Sequence, residues 1–220
     1  MKDPIVYIVD DDKSLCDSIS YLLESVHLHV KACHRVESFL DDYDPTRPSC
    51  LLLDIRMPDV SGLECQDILK QRGISIPIIF MTGHGDISMA VRAMKKGAFD
   101  FVSKPFDHQS LLDRIHGAVK LDQERRRSKE YQQKLLDRFN SLSKREFDVL
   151  ENVISGKSSK VIADEMQVSP KTIEYHRAKI SKKLNAQSIP DLVKLFYDYK
   201  NAGLWGSRHP VESIAGSNSV

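Results

Sequence analysis

The 220-residue chain is 41% hydrophobic and 29% charged, with 9 prolines and 10 glycines. That is the make-up of ordinary globular domains and excludes a disordered or fibrous protein, while the length allows one large domain or two small ones. The net charge of +1 hides an asymmetry: residues 1–120 carry 14 Lys+Arg against 18 Asp+Glu and residues 121–220 carry 18 against 13, so any polyanion is expected at the second half, although solvated charged faces give the same arithmetic.

In chain order, Met1-Lys2-Asp3-Pro4 and a short apolar run closed by Asp10-Asp11-Asp12 are unlike a signal peptide. No apolar run approaches the ~18 residues of a membrane span, so a cytoplasmic protein without membrane insertion is expected. Apolar runs at Ile5–Val9, Cys50–Leu53, Ile76–Met81 and Phe99–Val102, with a fifth candidate at Leu28–Cys33, predict strands. Helix-like stretches separate them at about 13–25, 35–42, 61–71 and 86–96, with another after 107. Alternating βαβ units imply a doubly wound parallel sheet covered on both faces. Three runs are apolar almost throughout, as strands buried on both sides must be, whereas Leu28–Ala32 and Phe99–Phe101 alternate and suit the edges. The strand order 2-1-3-4-5 follows. Cys16, Cys33, Cys50 and Cys65 form no CxxC pair and are expected to be reduced, packed thiols.

Open parallel sheets bind ligands beyond the carboxyl ends of their strands, at the switch point of strand order. Here the first strand ends in Asp10-Asp11-Asp12, the third in Asp54, the fourth in Thr82 and the fifth in Ser103-Lys104. Crowded carboxylates with oxygen-only ligation suit Mg²⁺, so Asp11 and Asp54 make a metal clamp with Asp10 in support. Asp54 is then placed to attack phosphorus, with the Lys104 ammonium and the Thr82 hydroxyl each holding one phosphoryl oxygen. A single Asp at a strand end is more often a turn or capping residue; that reading leaves the matched Thr and Lys unexplained.

Val9-Asp10-Asp11-Asp12, Leu53-Asp54-Ile55-Arg56-Met57-Pro58-Asp59-Val60-Ser61-Gly62, Met81-Thr82-Gly83-His84-Gly85 and Lys104-Pro105-Phe106 resemble the receiver domain of bacterial two-component response regulators, over about residues 1–120. The resemblance implies a flavodoxin/CheY-like fold. It implies that Asp54 takes a phosphoryl group from a sensor histidine kinase, and that Mg²⁺, with Mn²⁺ as a substitute, is held by Asp11, Asp54 and the backbone carbonyl of Arg56, Asp10 acting through water. It further implies a switch pair of Thr82 and Phe101 and a cis bond before Pro105. Arg56 and His84, variable in the family, are expected to tune hydrolysis of the acyl phosphate. The protein is then not an enzyme beyond self-phosphorylation from acyl phosphates and slow self-dephosphorylation.

Leu111, Leu112, Ile115, Ala118 and Val119 keep helical spacing, but Asp122–Glu130 contains no apolar residue. Good helix formers there favour a charged helical linker over 121–140 rather than a core helix. The remainder is helical in pattern. Ser143 and Glu146 form a capping box before an apolar face that Gly156 ends. A short helix follows from about Ser158 to Met166, and Ser169 caps a third with Pro170 at its first position. Helix, tight turn and capped helix is the helix-turn-helix pattern.

On the third helix Ile173, Ile180 and Leu184 face inward with His176 and Arg177 at the flanks, while Lys171, Tyr175, Ala178 and Lys182 face outward with Glu174 and Lys179 at the margins. A basic capped helix bearing an aromatic suits phosphate attraction and base reading, although a solvated amphipathic helix looks much the same. Leu142-Ser143-Lys144-Arg145-Glu146, Gly156, Ile162-Ala163, Val168-Ser169, Thr172-Ile173, His176 and Lys183-Leu184 resemble the LuxR/FixJ-type DNA-binding domain, a four-helix helix-turn-helix unit placed at 141–202. The resemblance implies promoter DNA contacts from Lys171, Thr172, Glu174, Tyr175, His176, Lys179 and Lys182, with Glu174-Tyr175 setting operator choice. It also implies a homodimer when phosphorylated, pairing through Ile189, Leu192 and Val193, and RNA polymerase as a partner if the regulator is an activator. Residues 203–220, small and polar, are expected to form a flexible tail.

Two other classes share some features. A phosphohydrolase of the haloacid dehalogenase kind carries its Asp nucleophile in a DxD on the first strand and needs a cap for the substrate, whereas Asp54 lies on the third strand and no insertion could be a cap; an FMN binder needs a phosphate-cradling loop where Asp10–Asp12 would repel the phosphate.

Overall fold

The computed structural model describes residues 2–83 and 87–203 and divides into two compact units, Met1–Arg127 and Ser128–Val220. The expected tail beyond residue 203 lies outside the described residues. In the first unit β1 (Ile5–Val9), α1 (Lys13–Ser25), β2 (His29–Cys33), α2 (Val36–Asp42), β3 (Ser49–Asp54), α3 (Gly62–Gln71), β4 (Ile78–Thr82), α4 (Ile87–Lys95) and β5 (Asp100–Ser103) alternate before α5 (His108–Asn140), which continues into the second unit. The five strands are parallel in the order β2-β1-β3-β4-β5.

Strand alternation divides the first core in two. Ile5, Tyr7 and Val9 of β1, Leu51 and Leu53 of β3, and Ile78 and Phe80 of β4 pack with α2, α3 and α4. Val6, Ile8, Cys50, Leu52, Ile79 and Met81 point the other way, onto Cys16, Ile19 and Leu23 of α1 and Leu111, Ile115 and Ala118 of α5. Central strands are therefore apolar between their ends, and β1, β3 and β4 are buried throughout, the polar Ser49, Asp54 and Thr82 standing only at strand termini. At the edges only Cys33 of β2 and Val102 of β5 are buried. The apolar run from Ile76 becomes strand only at Ile78: Pro77 has no N–H for the ladder, and its carbonyl accepts from Leu51 N at 2.9 Å. All four cysteines are buried free thiols.

The charged stretch after residue 121 is helical, and Asp122 within it is only 4% exposed. Its Oδ2 accepts from Ser49 N at 2.9 Å and from Arg126 Nε at 2.6 Å, and Arg126 Nη1 donates to the Pro45 carbonyl at 2.5 Å. A backbone N–H at the start of a buried strand must find an acceptor, and here a carboxylate of α5 provides it. No apolar pattern announces such a contact.

In the second unit α6 (Lys144–Ile154), α7 (Ser159–Glu165), α8 (Pro170–Leu184) and α9 (Ile189–Asn201) join the end of α5 around one core. Leu135 and Phe139 meet Phe147, Leu150, Ile162, Ile173, Ile180, Leu184, Phe196 and Tyr199 there, with the Phe139 and Tyr199 rings stacked at 4.2 Å. Ser143, Ser158, Ser169 and Ser188 each accept an N–H of the first helical turn, about 1 kcal/mol apiece. α8 ends where Asn185 turns left-handed at φ 54°. Glu146, 4% exposed, closes the Ser143 capping box and accepts from Lys183 Nζ at 2.6 Å. Burial alone would raise the Glu146 carboxyl, but Lys183 and the Ser143 backbone and hydroxyl groups hold it down at about 2. Among the described residues no helix is long and apolar enough to cross a membrane.

Candidate functional site

Asp10 follows β1 directly, Asp54 and Thr82 end β3 and β4, and Lys104 follows β5, so the parallel sheet delivers all four to one edge. Asp10 and Asp54 are 1% and 6% exposed. Lys104 Nζ donates to Asp10 Oδ2 at 2.7 Å and to Asp54 Oδ1 at 2.6 Å. The remaining oxygens are also served: Asp10 Oδ1 accepts from Asp12 N and Asp54 Oδ2 from Arg56 N, both at 2.9 Å. Asp12 in turn caps α1 by accepting from Leu15 N. The Lys104–Pro105 peptide is cis, and Lys104 N donates to the Thr82 carbonyl at 2.6 Å.

Burial raises the Asp54 carboxyl above the ordinary range, and Asp10 adds to the rise while Lys104 opposes it. For Lys104 burial works against the charge, but hydrogen bonds to Asp10 and Asp54 outweigh it and raise the ammonium. Two buried carboxylates thus share one cation. Asp10, Asp11 and Asp54 each offer an oxygen within 4.8 Å of the others, with Asp11 exposed. An all-oxygen donor set with more negative than positive charge fits a hard divalent cation such as Mg²⁺.

Thr82 is 3% exposed, its hydroxyl donating to the Val102 carbonyl at 3.4 Å, while Phe101 is 38% exposed on β5. His84 lies outside the described residues. Gly62, which sequence reasoning quoted in a motif but gave no role, supports the site from behind. A Cβ there would stand 2.4 Å from the Asp54 carbonyl oxygen, 2.9 Å from Phe80 Cε1 and 3.1 Å from Ile55 Cα. Only glycine lets α3 start so close to the end of β3, where Ser61 and Glu64 form a second capping box.

The second unit places Lys171, Glu174, Tyr175, Lys179 and Lys182 on the exposed side of α8, with Thr172 and His176 half-buried. Lys179 Nζ sits 4.5 Å from the centre of the Tyr175 ring. Thr172 shares a 2.8 Å hydrogen bond with the capping Ser169 hydroxyl. Ser159 of α7, to which the sequence assigns no role, bonds to both Glu174 and Arg177. On α9 Ile189 is 49% and Tyr197 51% exposed and Val193 is half-buried, whereas Leu192, at 5%, packs into the core of its own unit.

Comparison with known proteins accords with this division. Residues 6–116 match the family model of the response regulator receiver domain and residues 140–196 that of the bacterial regulatory proteins of the luxR family. The chain is 43% identical over 188 residues to the transcriptional regulatory protein TdiR of Thauera aromatica, covering 86% of this chain and 83% of that one. It is 42% identical over 191 residues to the response regulator protein TodT of Pseudomonas putida, covering 87% and 84%. Among solved structures the response regulator StyR superposes with a TM-score of 0.86 at 42% identity, covering 90% of this chain and 100% of that one.

Proposed function

Because the chain belongs to the two-component response regulators that carry a receiver domain and a LuxR-type DNA-binding domain, we propose that it is a transcription regulator switched by phosphorylation of Asp54. The observation that carries this reading is the pair of buried carboxylates, Asp10 and Asp54, bridged by Lys104 Nζ at 2.7 and 2.6 Å at the end of the sheet.

A carboxylate oxygen of Asp54 attacks the phosphorus of a phosphohistidine on a sensor kinase. The O–P bond forms as the P–N bond breaks, and the leaving imidazole nitrogen keeps the electron pair and is protonated from solvent. Lys104 stays charged and is within reach to hold a phosphoryl oxygen. Thr82 exchanges its Val102 acceptor for another phosphoryl oxygen, which frees β5 and Phe101 to rearrange. Asp11, Asp54 and the Arg56 carbonyl, with Asp10 in support through water, would hold Mg²⁺ or Mn²⁺, and the ion would supply charge neutralisation at the phosphoryl group. Arg56 and His84 tune the lifetime of the acyl phosphate; unchanged decay in Arg56→Ala and His84→Ala would remove that role.

Phosphorylation acts as a population shift, since it biases only states with which the phosphoryl group interacts differently. Val91 and Met94 of α4 and Phe101 of β5 are 48%, 37% and 38% exposed, and such exposed apolar side chains suit dimerisation of the activated form. In the second unit Lys171, Lys179 and Lys182 meet phosphates, Glu174 and Tyr175 face base edges, Thr172 and His176 lie at the margin, and Ile189, Val193 and the underlying Leu192 support a dimer on promoter DNA. RNA polymerase is a partner if the regulator activates, and such a protein works in the bacterial cytoplasm.

The test is the intact mass of the parent and of Asp54→Asn after incubation with Mg²⁺ and a small acyl phosphate. One phosphoryl group on the parent alone is expected. A gain on both proteins would move the acceptor elsewhere, and a gain on neither, repeated with a phosphorylated kinase domain, would end the phosphorylation reading.

A further inference from the structure

The exposed side of α8 carries one acid among bases, and that acid is held from another helix. Ser159, in the first turn of α7, donates its hydroxyl to Glu174 Oε1 and accepts from Arg177 Nη1 at 3.0 Å. One hydroxyl therefore links a cation and an anion that form no direct ion pair among the described residues. Nothing among those residues donates to Glu174 Oε2. The neighbouring Tyr175 is steadied in its turn by Lys179 over its ring.

A free glutamate on a surface that meets phosphates would swing away from them, with several rotamers open to it. The Ser159 tether removes that freedom, and the Arg177 charge behind the hydroxyl offsets the repulsion. What remains is an acceptor-only group at a set position on the groove-facing side. In the major groove guanine and thymine oppose an acceptor with their own O6, N7 and O4, whereas cytosine offers the N4 amino group; adenine offers N6 but flanks it with the N7 acceptor. We propose that Ser159 is a positioning residue for base recognition: it holds Glu174 so that the chain selects cytosine at one position of each half-site. This rests on the reading of the second unit as a major-groove DNA binder.

The test uses the full chain, incubated with Mg²⁺ and a small acyl phosphate, to select duplexes from a randomised library. The parent, Ser159→Ala, Ser159→Thr and Glu174→Gln are compared base by base. The parent is expected to enrich cytosine at one half-site position about tenfold over the other bases, the scale of one good contact. Ser159→Ala loses most of that preference and keeps the others, Ser159→Thr retains it because the hydroxyl remains, and Glu174→Gln moves it toward adenine. A Ser159→Ala profile identical to the parent's, or one weakened equally at every position, would overturn the positioning role. An unchanged Glu174→Gln profile would overturn the base contact itself. A parent that enriches no sequence would fail earlier, at the DNA-binding reading on which the proposal stands.

Discussion

Replacing Glu146 by Gln isolates one buried charge whose worth depends on pH. Its carboxyl titrates at about 2 in the folded unit against the ordinary 4.5. A depressed pKa contributes stability that is fully present above the unfolded value and is lost as pH falls through the folded one, so the window runs from pH 4.5 down to about 2. A shift of that size is worth about 3 kcal/mol at neutral pH, and the solvent that reaches Lys183, 35% exposed, reduces this to about 2. The Gln variant keeps the shape and a neutral hydrogen bond but not the charge. The parent should therefore be the more stable by about 2 kcal/mol at neutral pH, with the gap narrowing by roughly a third to a half near pH 3.5. Urea unfolding of the full chain, followed by circular dichroism and fitted to a separate transition for each unit, measures this. A gap that stays constant between neutral pH and about pH 3.5 would refute the argument, because only a titrating carboxylate makes it close.

Four further outcomes are expected. Gly62→Ala forces α3 off the Asp54 carbonyl and should cost about 2 kcal/mol while slowing Asp54 phosphorylation; an unchanged thermal midpoint would show that α3 yields freely. Lys104→Met leaves Asp10 and Asp54 buried without their cation, and acyl-phosphate labelling should slow at least about 100-fold, as when a charge-stabilising donor is removed. Labelling at the parental rate would exclude Lys104 from the reaction. Asp122→Ala strips Ser49 N and Arg126 of their acceptor and should lower the first unit's stability by about 2 kcal/mol, read by calorimetry, whereas a surface-like effect under about 0.5 would contradict its burial. Lys171→Met and Lys182→Met should each reduce the slope of log affinity against log salt by about one without changing the preferred sequence, and an altered preference would make them base readers instead.

How much was legible in the sequence follows from which forces leave a periodic trace. Burial on both faces demands uninterrupted apolar runs, so β1, β3 and β4 stood out, and the alternating Leu28–Ala32 and Phe99–Phe101 marked the edges. Capping chemistry is equally local: Ser143 with Glu146, and Ser169 before Pro170, announced α6 and α8. Because parallel strands place their carboxyl ends together, the cluster of Asp10, Asp54, Thr82 and Lys104 is legible from the strand pattern alone.

What only the tertiary structure decided are contacts between residues distant in sequence whose types have other uses. Asp122 looked like one more charge on a solvated helix until Ser49 N was found against it. Leu192 belongs to an apolar stripe that serves a core or a partner equally well in sequence, and packing assigned it to the core. Gly62 is required by the approach of α3 to Asp54, a distance no pattern encodes. Ser159 carries nothing in its own segment to tie it to Glu174 and Arg177; the crossing of α7 and α8 does that. Periodicity reports which side of an element faces the core, whereas the identity of the opposing atom depends on how the elements are placed together, and one-dimensional order does not contain it.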